Sequence, residues 1–156
     1  MNFKKWKPYL FWILLAEGVG LLAGMLTRNA AMLYSNTIAK PPLSPPAIVF
    51  PIVWTILYAL MGIGAARVAT SQNRKGNTAL NLFIVQLIVN FFWSLLFFNA
   101  MAFGFAALWL ILLWVLVLLM IIAFWKVDRV AAWLQVPYFI WLTFAAYLNL
   151  AVYLLN

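Results

Sequence analysis

The chain contains no cysteine and no histidine, and among its 156 residues only two are acidic. Without cysteine there is no disulfide, no thiolate nucleophile and no cysteine metal site, and the redox compartment stays open. Without histidine the commonest metal ligand and the commonest general base are both missing. The two acids, Glu17 and Asp128, cannot form a carboxylate dyad within the membrane. A Ser-His-Asp triad, a zinc site and a histidine-ligated haem fail for want of ligands. No phosphate-binding glycine loop is present, and one Glu within a span is too few for a charge-relay transporter. Charge of either sign is scarce at 8%, where soluble domains carry about 25%.

What the chain does have is apolar surface, at 69% of residues. Such a chain cannot cover a globule with polar groups, and its apolar runs are long enough to cross a bilayer as helices. The reading is an all-α integral membrane protein, a single five-helix domain over 1–156. Its spans are expected at about 9–26, 47–66, 79–99, 104–125 and 131–155. The third and fourth are separated by the small-residue break "NAMAFG", within a charge-free stretch from Lys75 to Lys126.

The net charge of +8 follows topology rather than nucleic-acid binding. Lys4, Lys5, Lys7, Arg67, Arg74, Lys75, Lys126 and Arg129 fall on the N-terminal side, and Arg28 and Lys40 on the other. The positive-inside rule places the N-terminus in the cytoplasm and the C-terminus outside. The first span reads as an uncleaved anchor, longer than a signal h-region and without a convincing cleavage site. A bacterial plasma membrane is the expected location, with the mitochondrial outer membrane as the alternative.

The one long connection, 27–44, contains "KPPLSPP" and should be stiff, because proline restricts φ. It is read either as a rigid connector or as a lid across the end of the bundle. Ser44 followed by Pro45 has the form of an N-cap and first helical residue.

Three stripes at helical spacing carry side chains that lipid disfavours: Trp54, Tyr58 and Met61; Gln86, Asn90, Trp93 and Ser94; Trp141, Ala145 and Asn149. Membrane amides need a partner or a cavity. They serve either as interhelical glue or as the wall of a pocket. Trp6, Trp12, Trp125 and Trp133 lie near span ends and fit interfacial anchoring. Pro51 and Pro137 precede Trp54 and Trp141 and are expected to flare the bundle mouth. Glu17 is either functional or structurally hydrogen-bonded, and Ala16, Gly20 and Gly24 form a small-residue ridge for close helix approach. The surviving chemistry is recognition of a large, flat, apolar ligand by aromatic faces, a few amides and a basic rim.

Lys40-Pro41 with the following prolines, "PIVWTILYALMG", "QLIVNFFW" and "PYFIWLTFAAYLN" resemble the tryptophan-rich sensory protein family in order, spacing and context. Its mitochondrial members are called translocator protein or peripheral benzodiazepine receptor. The resemblance implies a five-helix bundle, commonly a homodimer, with a pocket closed by the first long loop. It implies binding of protoporphyrin IX and of synthetic isoquinoline carboxamide ligands, and, for bacterial relatives, light- and oxygen-dependent porphyrin breakdown. Carried onto this chain, the pocket comprises Trp54, Tyr58, Asn90, Trp93, Trp141, Phe144, Ala145 and Leu148, with Trp54 and Trp141 as the catalytic pair. No separate cofactor is implied, because the porphyrin is itself ligand or substrate. A tetrapyrrole receptor without turnover and a transporter of hydrophobic compounds are the alternatives. Two departures from the family pattern stand out. Leu150 and Leu154 occupy the positions of the sterol-recognition tyrosine and arginine, which argues against specific sterol binding. Asn81 and Val85 replace a third-span GxxxG, which leaves the dimer face open.

Overall fold

The structure, a computed structural model, describes residues 3–156. The described residues form helices joined by short connections: α1 (Phe3–Thr37), α2 (Val49–Ala69), α3 (Gly76–Ser94), α4 (Phe103–Trp125), α5 (Arg129–Leu134) and α6 (Val136–Leu155). A π-helical turn, Leu95–Asn99, extends α3, and α5 and α6 together make the last span. Five segments are therefore long and apolar enough to cross a membrane, as the composition requires.

The neighbours around the bundle are α1 against α2, α2 against α5, the last span against α4, α4 against α3, and α3 with its π turn back against α1. The α1–α2 contact is tight because glycine permits it. A Cβ on Gly62 would overlap the Ile13 backbone, and one on Gly20 would overlap the Tyr58 ring. The ridge read from the sequence thus divides: Ala16 is buried, Gly20 packs on Tyr58, and Gly24 meets only open space. On the far side, Phe83 stacks on Phe124, and Leu110, Leu113 and Met120 are wholly enclosed.

The first span and its loop differ from the reading above. Helix α1 does not stop near Leu26 but continues to Thr37, so the expected loop of 27–44 contracts to 38–48. Thr27 and Thr37 return their hydroxyls to the carbonyls of Ala23 and Leu33, satisfying polar groups without ending the helix. Thirty-five residues make a helix about 52 Å long, beyond the ~30 Å hydrocarbon core. Thr27 is buried among the helices and does not interrupt the backbone.

Ser44 is not an N-cap. Helix α2 begins at Val49 after Ile48, with no side-chain cap, and the Ser44 hydroxyl is buried without a partner. Pro51 falls in the first turn of α2, where a missing N–H costs nothing. Pro137 likewise occupies the first turn of α6, after the break at Gln135, inside the last span and next to Tyr138, whose ring centroid is 6.1 Å from that of Trp54. Trp6, Trp125 and Trp133 are exposed as anchors should be, whereas Trp12 turns inward, edge-on to Phe83.

At the end away from that connection, Asp128 caps α5 by accepting from Ala131 N–H at 3.0 Å. Its other contacts come from Arg67, whose Nη2 is 3.1 Å from Oδ2 and whose Nε donates to Oδ1 at 3.3 Å. Partial burial raises the Asp128 pKa, but these hydrogen bonds and the guanidinium charge outweigh it and hold the carboxyl below the usual carboxylate range.

Candidate functional site

A cavity of about 600 Å³ opens among α1, α2, the π turn and α6, beneath the 38–48 connection. Its volume is that of a small-molecule site. Trp54 and Tyr58 come from α2, Trp93 from α3, and Trp141, Ala145 and Leu148 from α6. Their helical spacing turns each set toward one side, as the stripes imply.

Trp54 and Trp141 stand next to one another with centroids 6.5 Å apart and planes at 87°. Trp54 is also 5.5 Å from the Tyr58 ring, and Phe50 lies edge-on to Trp141. The result is an aromatic corner with two faces at right angles. No described residue accepts from the indole N–H of Trp54 or Trp141, whereas Trp93 donates to Asn149 Oδ1 at 3.0 Å. Asn149 in turn donates to the Phe103 carbonyl at 2.8 Å, fixing the Trp93 ring through α4.

Two expected pocket residues lie outside the lining. Asn90 is almost wholly enclosed behind Tyr58, which donates to its Oδ1 at 3.4 Å. Asn90 Nδ2 donates to the Tyr138 hydroxyl at 2.8 Å, and that hydroxyl donates to Gln86 Oε1 at 2.8 Å. Gln86 Nε2 ends the chain at Met61 Sδ, 4.0 Å away. This buried series joins α2, α3 and α6, so the amide stripe on α3 acts as interhelical glue behind the pocket wall. Phe144 packs between Trp141 and Tyr147, with centroids at 5.6 and 6.2 Å, and buttresses the wall from outside.

Other lining residues were not among those expected. The continued α1 contributes Thr27, Ala31 and Tyr34, and the π turn contributes Phe97 and Phe98. Tyr34 packs against both phenylalanines, at 5.3 and 5.5 Å. A π turn shifts the register of the side chains that follow it, and "FFN" gives no warning of that. Asn99 Nδ2 donates to the Leu26 carbonyl at 3.1 Å and ties the turn to α1.

The connection above the cavity is held in place. Ala39 exchanges two hydrogen bonds with the Asn156 side chain, at 3.2 and 2.9 Å. Tyr147 donates to the Pro42 carbonyl at 3.2 Å. Lys40 donates to the Ser35 carbonyl at 2.7 Å, with its ammonium 5.3 Å from the centre of the Tyr34 ring. Leu43, at the tip, has φ of 72°, a left-handed conformation unusual for a branched residue.

The TspO/MBR family model matches residues 11–155. The tryptophan-rich protein TspO of Chlorobaculum tepidum is 37% identical over 144 residues, covering 91% of each chain. Protein CrtK of Rhodobacter capsulatus is 38% identical over 123 residues, 78% of this chain and 77% of its own. The translocator protein of Bos taurus is 31% identical over 147 residues, 92% of this chain and 87% of its own. A match of this extent, over a five-span helical membrane protein, establishes that the chain belongs to the TspO/MBR family.

Proposed function

We propose that the cavity binds protoporphyrin IX or a related tetrapyrrole and promotes its light- and oxygen-dependent degradation. The observation that carries the reading is the perpendicular pair Trp54 and Trp141, set in the wall of a cavity whose other surfaces are largely apolar. A flat conjugated ring stacks on one indole and meets the edge of the other, which fixes its plane. Arg28 and Lys40 among the lining residues supply positive charge for peripheral carboxylates.

On illumination the excited macrocycle takes an electron from the indole of Trp54 or Trp141, leaving an indole radical cation and a reduced macrocycle. Dioxygen, the co-substrate, accepts that electron from the reduced ring and becomes superoxide. The indole radical cation then regains an electron from the restored macrocycle. The resulting ring radical cation couples with superoxide, forming carbon–oxygen bonds that open the ring and leave both oxygen atoms in the product. The adjacent indole lets the positive hole move between the two rings without leaving the site. The chain's own part is to hold the ring against an electron donor and to limit water around it.

The test is illumination of purified protein with protoporphyrin IX, following porphyrin absorption for wild type, Trp54→Phe and Trp141→Phe. A product formed by wild type and reduced at least tenfold in either variant, with binding retained, supports the enzymatic reading. Equal bleaching in all samples and in protein-free detergent overturns it, leaving a receptor without turnover. Flux of porphyrin through liposomes in the dark would instead indicate transport. The proposal extends to isoquinoline carboxamide ligands as competitors for the same cavity, to a homodimer as the functional unit, and to a bacterial plasma membrane as the location.

A further inference from the structure

Among the groups lining the cavity, Glu17 carries the one acidic side chain, and no described residue answers it. Its Oε1 is buried with no hydrogen-bond partner, and it forms no ion pair. A carboxyl group in a low-dielectric wall without donors is costly. Lining a cavity, it can obtain those donors from whatever enters.

The placement of Glu17 says what kind of donor. Along α1, the cavity face runs Glu17, Gly20, Gly24, Thr27, Arg28 and Ala31, rising toward the 38–48 connection. Gly20, one turn above Glu17, touches the Tyr58 ring, and Tyr58 lies one turn below Trp54 on α2. Glu17 is therefore at the level of the inner end of the aromatic wall. Arg28 stands eleven residues farther along the helix, about 16 Å away at 1.5 Å per residue. Lys40 lies beyond it, in the connection itself. The cavity is polarised, with a partly buried acceptor at its inner end and cations toward the 38–48 connection. No described group of three or more His, Cys, Asp or Glu exists to hold a metal ion at the inner end.

We infer that Glu17 determines specificity in this cavity: its carboxylate accepts a hydrogen bond from an N–H at the core of a flat nitrogen heterocycle, while Arg28 and Lys40 take the ligand's acidic edge. The inference rests on the tetrapyrrole reading above and deepens it, because it makes the site selective for the metal-free ring. In a free-base tetrapyrrole the inner nitrogens carry protons, and an N–H tilted from the ring plane can reach an acceptor beside the face. A metal in the ring replaces those protons and leaves Glu17 unanswered, although the outline and peripheral carboxylates are unchanged.

The experiment measures tryptophan-fluorescence quenching in detergent by protoporphyrin IX and by its palladium(II) chelate, which has no ring N–H and little tendency to take axial ligands. Wild type, Glu17→Gln and Glu17→Leu are compared. Wild type is expected to bind the metal-free ring about tenfold more tightly, the worth of one charge-assisted hydrogen bond. Both variants should weaken metal-free binding while leaving the palladium chelate within about twofold of wild type, which also shows that they fold. Equal affinities in wild type, or a ratio unchanged by either substitution, overturn the role of Glu17 while leaving tetrapyrrole binding intact. Parallel weakening of both ligands assigns Glu17 a merely structural role and also overturns it. Failure of wild type to bind either ligand overturns the tetrapyrrole reading itself, and the inference with it.

Discussion

At the scale of single residues, the site divides into side chains that face the cavity and side chains that hold them. Tyr138 belongs to the second group: wholly enclosed, it bridges Asn90 and Gln86 behind the lining. Tyr138→Phe keeps the ring but leaves two buried amide groups short of a partner, which costs about 1–3 kcal/mol. The expected outcome is a lower thermal midpoint in detergent, with porphyrin affinity at permissive temperature changed less than threefold. A large affinity loss without destabilisation would place Tyr138 in the binding surface instead. Asp128 gives the pH-dependent counterpart. Its folded pKa is depressed, so its contribution is present above the ordinary carboxylate value of about 3.9 and is lost as pH falls through the lower folded value. Asp128→Asn keeps an N-cap acceptor but loses the ion pair, costing about 0–1 kcal/mol. Asp128→Ala loses both and should cost roughly 1 kcal/mol more. Unfolding followed from pH 7 to 3 should show a smaller acid-induced drop in both variants than in wild type.

At the scale of elements, legibility followed the chemistry that each pattern encodes. The stripes on α2, α3 and α6 were readable because burial and helical period act together, and Trp54, Tyr58, Trp93, Trp141, Ala145 and Leu148 do converge on one cavity. Asn90 and Phe144 carry the same periodicity, but spacing alone does not separate a lining side chain from one directly behind it. The extent of α1 was misread because hydropathy reports where lipid ends, while helix propensity continues through "NAAMLY" to Thr37. The π turn that delivers Phe97 and Phe98 has no residue signature. The shortened connection nevertheless keeps the lid-like position the prolines suggested, and its anchors make a prediction. Asn156→Ala removes both bonds to Ala39, and Tyr147→Phe removes the bond to Pro42. At about 1 kcal/mol per bond, each should raise the ligand off-rate several-fold, with association little changed. Stopped-flow release of porphyrin measures this, and an unaltered off-rate in the double variant would mean the ligand leaves by another route.

At the scale of the whole molecule, the two ends of the bundle differ in charge as well as in shape. Arg67, Arg74, Lys75, Lys126 and Arg129 gather at the end where Asp128 caps α5, together with the start of α1, whereas the cavity end carries Arg28 and Lys40. Charge asymmetry of this kind orients a multispanning protein during insertion, since basic segments resist transfer across the membrane. The basic end should therefore be cytoplasmic and the cavity should open on the opposite face, so that its ligand arrives from outside the cytoplasm or along the outer leaflet. A fluorescent reporter that matures only in the cytoplasm should be dark when fused after Asn156 and bright when inserted in the 70–75 turn, with an exported-enzyme reporter giving the reverse. Replacing Arg67, Arg74 and Lys75 with neutral residues while adding three lysines beside Lys40 removes the bias, from eight against two to five against five. The expected result is a mixed population read by both reporters. A bright C-terminal fusion in the unmodified protein would invert the topology, and the cavity would then draw its ligand from the cytoplasmic side.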